Sequence, residues 1–271
     1  GEFRPVGSND IFDLEYWSLE QAKLGKSRIS KLSGSVVVVT GAGGAIGRAT
    51  ALEFAKEGAE IVAIDLDRIE AVKTASMCGD NSMPIECDVT ISEQLKLAFK
   101  NIVNEFGGID IVISNAGSAY AGVMEKLEEK VFRKSLEINL FSHHFISQIA
   151  VKIFKSQDHL ESDLKYIIGG QILFNVSKQA LNPGSGFGAY GIAKSALLAL
   201  MKQYALEQGN SFIRCNGINA DHIRSGLLNN QMIKERSTAR GITEVEYMEG
   251  NLLRSEVRAE DVGSAFVALS L

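Results

Sequence analysis

Three residues in the second half of the chain have the types and spacing for proton transfer: Ser177, Tyr190 and Lys194. Tyr190 and Lys194 stand four apart. On a helix, positions i and i+4 share a face, one turn from each other. The Lys194 ammonium is therefore expected beneath the Tyr190 phenol. A free tyrosine has a pKa of about 10 and is a poor base at neutral pH. A fixed positive charge nearby favours the phenolate and lowers that value. Ser177 follows the apolar run Gln171-Ile172-Leu173-Phe174-Asn175-Val176 and can donate a hydrogen bond to a substrate oxygen. Together the three suit interconversion of an alcohol and a carbonyl. Alone, Tyr-x-x-x-Lys is more often a surface helix pair, so its weight depends on the elements around it.

Those elements alternate. The run before Ser177 reads as a strand; a loop rich in Gly and Pro follows, and Tyr190 opens a helical pattern. Val36-Val37-Val38-Val39 is a β-branched run that suits a strand buried on both faces. Further strands are predicted at Ile61-Val62-Ala63-Ile64, at 83–87, at 109–113 and near 212–218. Helical periodicity occupies 48–57, closed by Gly58, and 91–106, stopped by Gly107-Gly108. It recurs over 128–155 and over 259–271. Strands alternating with helices imply right-handed βαβ units, hence an α/β fold with a doubly wound parallel sheet, the Rossmann fold, in a single domain over 33–271. Residues 1–32 differ in texture. They hold the single Trp, within Ile11-Phe12-Asp13-Leu14-Glu15-Tyr16-Trp17-Ser18-Leu19-Glu20, and read as an N-terminal extension or interdomain linker.

Between the first strand and the first helix lies Thr40-Gly41-Ala42-Gly43-Gly44-Ala45-Ile46-Gly47. Strand before and helix after is the context that a glycine-rich dinucleotide loop requires. Glycines let the backbone turn tightly and approach a pyrophosphate, and the helix N-terminus offers free N–H groups. Asp65 ends the second strand, where a carboxylate accepts hydrogen bonds from the adenosine ribose and repels a 2′-phosphate. The cofactor is therefore expected to be NAD. Asp88 ends the third strand and could meet the adenine edge, or be simply solvated there. Asn115-Ala116-Gly117 ends the fourth strand beside the point where ligands bind such sheets.

Composition excludes other classes. With 271 residues, 45% apolar content and a formal net charge of -5, the chain has size for one large core and no basic footprint for nucleic acid. No apolar run reaches the roughly 18 residues of a membrane span, and no secretion leader precedes the first strand. Cys78, Cys87 and Cys215 are far apart and read as reduced thiols, which fits a cytoplasmic protein. No His/Cys cluster has metal spacing. His143 and His144 are adjacent, so they point to different sides of a helix and are read as structural.

Taken together, the glycine loop, Asp65, Asp88-Val89, Asn115-Ala116-Gly117, Asn139, Ser177, Tyr190 and Lys194 resemble, in order and spacing, the short-chain dehydrogenase/reductase family. The resemblance implies that Tyr190 is the general acid/base. It implies that Lys194 lowers the Tyr190 pKa and holds the nicotinamide ribose, and that Ser177 polarises the substrate oxygen. Asn139 would anchor a water linking Lys194 to solvent; by itself it reads as a polar residue inside a helix. Ile223 and Ser225 fit positions that touch the nicotinamide carboxamide. This sequence departs from the family in three ways. Ala45 stands where the loop usually has Gly, Ala220-Asp221 replaces Pro-Gly after the sixth strand, and the family's final strand is missing after 259–271, which suggests a truncated chain.

A closer resemblance is to the dehydrogenase half of bacterial fusions whose N-terminal half is a rhamnulose-1-phosphate aldolase. It is carried by 12–20, 174–180 and Asn219-Ala220-Asp221-His222-Ile223-Arg224-Ser225-Gly226-Leu227. It implies oxidation of lactaldehyde to lactate, in rhamnose breakdown, and a covalently fused aldolase domain. A second expectation is a polyol- or sugar-phosphate dehydrogenase of the sorbitol-6-phosphate type, with Lys178 or Arg224 on the phosphate. Gln179 and His222 complete the candidate substrate residues, and the stretch 222–254 is the expected substrate lid. A non-catalytic NAD-sensing domain is the rival from another class. A homo-oligomer assembled through the helices at 128–155 and 190–208 is also expected.

Overall fold

The structure is a computed structural model that describes residues 30–157 and 169–271. The Trp-bearing stretch at 11–20 lies outside the described residues. Six parallel strands form one sheet: β1 (Val36–Thr40), β2 (Glu60–Asp65), β3 (Met83–Glu86), β4 (Ile111–Ser114), β5 (Gln171–Asn175) and β6 (Arg214–Ile218), in the order β3-β2-β1-β4-β5-β6. The order reverses between β1 and β4. All strand C-termini lie on one edge, and loops from both sides of the reversal meet there.

Side-chain alternation explains how the β-branched runs are buried. Successive strand residues point to opposite faces. Accordingly Val36, Val38, Val62, Ile64, Val112, Ile172 and Phe174 join the core on one face, and Val37, Val39, Ile61, Ala63, Ile111, Ile113 and Leu173 join the core on the other. The first core is closed by α3 (Ser92–Phe106), α5 (Ser142–Gln157) and α6 (Gly188–Gln208), the second by α1 (Ala45–Lys56) and α9 (Ala259–Ser270). Glycine ends α3 as anticipated: Gly107 is left-handed and its N–H reaches the Val103 carbonyl.

Three features depart from the sequence expectations. Helix α1 begins at Ala45 rather than near residue 48, because the glycine loop itself supplies the N-cap, Gly44. A helix unread in the sequence, α2 (Arg68–Cys78), is capped by the Asp67 carboxylate, which accepts from the N–H groups of Ile69 and Glu70. It leaves Ile69, Val72 and Met77 exposed, so it shows no apolar stripe to betray it. The expected helix over 128–155 is broken into α4 (Glu129–Leu136), a π-helical turn (Glu137–Phe141) and α5. The lid stretch folds into α7 (Asn230–Arg240) and α8 (Glu244–Met248) around a small core of Leu228, Ile233, Tyr247 and Met248.

Candidate active site

The glycine loop is shaped by contacts that only small residues permit. Gly41 has φ +65°, and a Cβ there would lie 2.9 Å from Ala116 Cα. At Gly47 a Cβ would collide with the Gly41 carbonyl. Ala42 fastens the loop: its N–H donates to the Ile64 carbonyl, and its carbonyl accepts from Thr74 Oγ1 at 2.9 Å. The departure at Ala45 falls on the first residue of α1, which is exposed to solvent. The first-turn N–H groups of α1 open onto the loop, giving a place for an anionic diphosphate.

Asp65 reaches back to this loop. Its Oδ2 accepts from Gly43 N at 2.7 Å, an approach that a side chain at Gly43 would obstruct. Asp88 behaves differently: its Oδ1 accepts from Thr90 N and Thr90 Oγ1, so it closes its own turn, while Val89 is buried in the core. Asn115 braces the sheet. Its Nδ2 donates to the Thr40 carbonyl at 2.9 Å, and its Oδ1 accepts from Asn175 Nδ2 at 2.8 Å. Thr40, read in the sequence only as the opening of the glycine loop, has a wholly buried hydroxyl that accepts from the N–H groups of Asn115 and Ala116. Nothing in its local pattern marks it, because its partners come from a strand far away in sequence.

Across the switch point, Ser177 follows β5, and Tyr190 and Lys194 occupy the first two turns of α6. Lys194 is 2% exposed, donates to the Asn175 carbonyl at 2.8 Å, and lies 5.8 Å from the Tyr190 ring centroid. Burial pushes its pKa down to about 7. The Tyr190 phenol is raised by burial, and the Ser177 hydroxyl pulls the other way. The expected lowering of Tyr190 by Lys194 is thus not what sets the phenol here. The ammonium donates one hydrogen bond to a backbone carbonyl, and burial disfavours its charged form. Asn139, in the π turn, is fully buried: Nδ2 donates to the Ser118 and Ser135 carbonyls, and Oδ1 accepts from Ser118 N at 3.1 Å. Its side chain therefore fixes the segment after β4. A Cβ at Gly117 would lie 2.9 Å from Asn139 Oδ1 and 3.7 Å from Lys194 Nζ. His143 is buried beside them with Nδ1 2.6 Å from Ser114 Oγ, while His144 meets Tyr204, so the adjacent pair does face two sides. Burial, then the Lys194 charge, holds His143 well below its ordinary value despite an opposing backbone hydrogen bond at Ala116.

Ser177 and Tyr190 open into a cavity of about 400 Å³. Ile46, Ile223 and Ser225 line it, as do Lys178, Gln179 and His222. Arg224 does not. It turns away to an ion pair with Glu256, with Nε 2.5 Å from Oε1. Lys178 is paired too, 2.9 Å from Asp221. His222, at φ +51°, stacks on Tyr247 with centroids 4.5 Å apart; burial lowers its pKa, against the pull of Asp221. Phe187, Arg236, Arg240 and Tyr247 are among the lining residues that the sequence analysis did not single out. The i,i+4 spacing of the two arginines was the available signal. Among the described residues no group of three His, Cys, Asp or Glu side chains is placed to hold a metal ion.

A doubly wound sheet with a glycine loop on one side of its switch point, and a Ser/Tyr/Lys group on the other, defines a class of oxidoreductase. Residues 35–236 match the short chain dehydrogenase family, and the chain belongs to it. It is 28% identical to an uncharacterized oxidoreductase, YuxG, of Bacillus subtilis (strain 168) over 98% of this chain; the chain spans only 39% of that relative's length. To the 7alpha-hydroxysteroid dehydrogenase of Escherichia coli (strain K12) it is 28% identical, over 69% of this chain and 71% of that protein. An NAD+-bound xylitol dehydrogenase shares its fold with a TM-score of 0.79 at 24% identity, over 89% of this chain and 94% of the other. A 3-ketoacyl-(acyl-carrier-protein) reductase from Brucella melitensis complexed with NADH gives 0.78 at 23%, over 89% and 92%.

Proposed function

We propose that the protein is an NAD-dependent oxidoreductase that interconverts a hydroxyl and a carbonyl group in a small compound. The observation that carries this reading is the Ser177–Tyr190 pair. It opens into a cavity whose other side is walled by Ile46 of the glycine loop. Bound NAD would supply the hydride acceptor. Gly41, Gly43, Gly47 and the start of α1 would receive its diphosphate, and Asp65 its adenosine ribose. Tyr190 would take the hydroxyl proton while Ser177 holds the oxygen that becomes the carbonyl. Support for NAD over NADP comes from Asp65, whose carboxylate would face any 2′-phosphate. Comparing kcat/KM for NAD and NADP over a panel of small alcohols tests the reading. Turnover that needs NADP, or that persists at the wild-type rate in Tyr190→Phe, would overturn it.

Lactaldehyde oxidised to lactate is the finer reading that the fusion resemblance brings. The thiols fit a route without a covalent intermediate. Burial raises Cys78 and Cys87 to about 11 and Cys215 to about 12, and none lines the cavity. A thiolate nucleophile is thus not available there. A hydrated aldehyde is a geminal diol, and Tyr190 could take one of its protons as from any alcohol. Lactate formed from lactaldehyde and NAD supports this substrate, whereas propanediol formed with NADH and no lactate excludes it. Sugar- or polyol-phosphate recognition by Lys178 or Arg224 loses its footing, since both cations already hold carboxylates. A fused aldolase domain is compatible with the greater length of the Bacillus relative. A homo-oligomer through α5 and α6 and a cytoplasmic location complete the proposal; three unpaired thiols suit the latter.

A further inference from the structure

We propose that the cavity selects substrates carrying a phosphate monoester, held by Arg236 and Arg240; this rests on the oxidoreductase reading of the same cavity. The two arginines stand one turn apart on α7, and both line the cavity into which Ser177 and Tyr190 open. Each guanidinium lies over an aromatic ring of the cavity wall. Arg236 is 4.5 Å from the Phe187 centroid and Arg240 is 4.8 Å from that of Tyr247. Stacking fixes the plane of a guanidinium and leaves its N–H edge free for a bidentate acceptor.

Neither arginine has a carboxylate partner or a hydrogen-bonded acceptor among the described residues. Three nearby acids are held by other groups: Asp221 by Lys178, Glu256 by Arg224, and Glu235 by Gln231. The charged groups lining the cavity are thus Lys178, Arg236 and Arg240 against Asp221 alone, in a chain whose net charge is -5. His222 feels all four of them. This local excess of two positive charges matches a phosphate dianion, whereas one carboxylate would leave a fork unused. A neutral substrate such as lactaldehyde makes no use of either. The inference therefore places a phosphorylated hydroxy compound ahead of it.

The test measures binding by calorimetry to the full chain saturated with NAD. The probes are glycerol 3-phosphate and sorbitol 6-phosphate, each with its unphosphorylated parent, with glycerate as the carboxylate analogue. Phosphate esters are expected to bind at least tenfold tighter than their parents, with inorganic phosphate competing. Replacing a charged partner costs roughly tenfold to a hundredfold. Arg236→Gln and Arg240→Gln should each lower ester affinity by that factor, and Arg224→Gln, outside the cavity, should not. Thermal unfolding of each variant establishes that it is folded. Esters binding no tighter than their parents, or unaffected by both substitutions, would overturn the inference, as would an equal gain for glycerate. If the esters bind through the arginines but neither they nor any alcohol of the panel is oxidised with NAD or NADP, the oxidoreductase reading fails and the anion site stands.

Discussion

Replacement of Lys194 by Met tests how a buried ammonium is tolerated in this fold. The side chain is 2% exposed, and burial moves its pKa from an ordinary 10.5 down to about 7. Between those values the unfolded chain binds a proton that the folded chain does not. Stability therefore rises with pH across that window, by up to about 1.4 kcal/mol per pH unit. Below pH 7 the folded protein carries the charge at full cost. At pH 7 Lys194 is still half-protonated, so the gain from pH 7 to 9 amounts to about 2 kcal/mol. The buried thiols act with the opposite sign: their unfolded value is near 9, so the unfolded thiols begin to ionise from about pH 8 and offset part of the Lys194 gain by pH 9. His143, whose pKa is lowered, costs stability only below its unfolded value near 6.5. The thiols and histidines are common to the wild type and to Lys194→Met, so the difference between the two proteins across pH 7 to 9 isolates Lys194. Urea unfolding of the protein without cofactor, at pH 7, 8 and 9, should show the wild type gaining about 2 kcal/mol relative to Lys194→Met. Parallel curves for the two proteins would refute the lowered pKa of Lys194.

Other outcomes are open to simpler measurements. Tyr190→Phe should lower turnover by about 10²–10⁴-fold with NAD affinity retained, since only the proton path is lost; kinetics and cofactor titration read the two effects separately. Asp65→Asn should shift the kcat/KM ratio toward NADP by about tenfold, the size of one repulsion near 1.4 kcal/mol, and an unchanged ratio would remove Asp65 from the selection. Gly47→Ala should abolish tight cofactor binding, because its Cβ has no room against the Gly41 carbonyl; wild-type affinity in fluorescence titration would contradict that packing. Light scattering at micromolar concentration should show a homo-oligomer, and a monomer would count against assembly through α5 and α6.

Much of the frame was legible in the sequence because its signals are local. A β-branched run such as Val36-Val37-Val38-Val39 has no stable alternative to a doubly buried strand, and the glycines at 41, 43 and 47 mark a turn that larger residues would block. Ser177, Tyr190 and Lys194 were legible for the same reason, as strand end and helix spacing place them together. Other features depend on what each side chain meets from distant segments. The helix read over 128–155 contains a π turn, set by the hydrogen bonds of Asn139 to Ser118. Arg224 looked available for a phosphate until Glu256 was brought to it, while Arg236 and Arg240, unremarkable on a polar helix, lie over Phe187 and Tyr247 with no ion pair among the described residues. The charge on Lys194 belongs to this group too. Spacing put it near Tyr190, but its pKa of about 7 comes from the depth at which α6 packs against β5, and desolvation is a property of the packed fold.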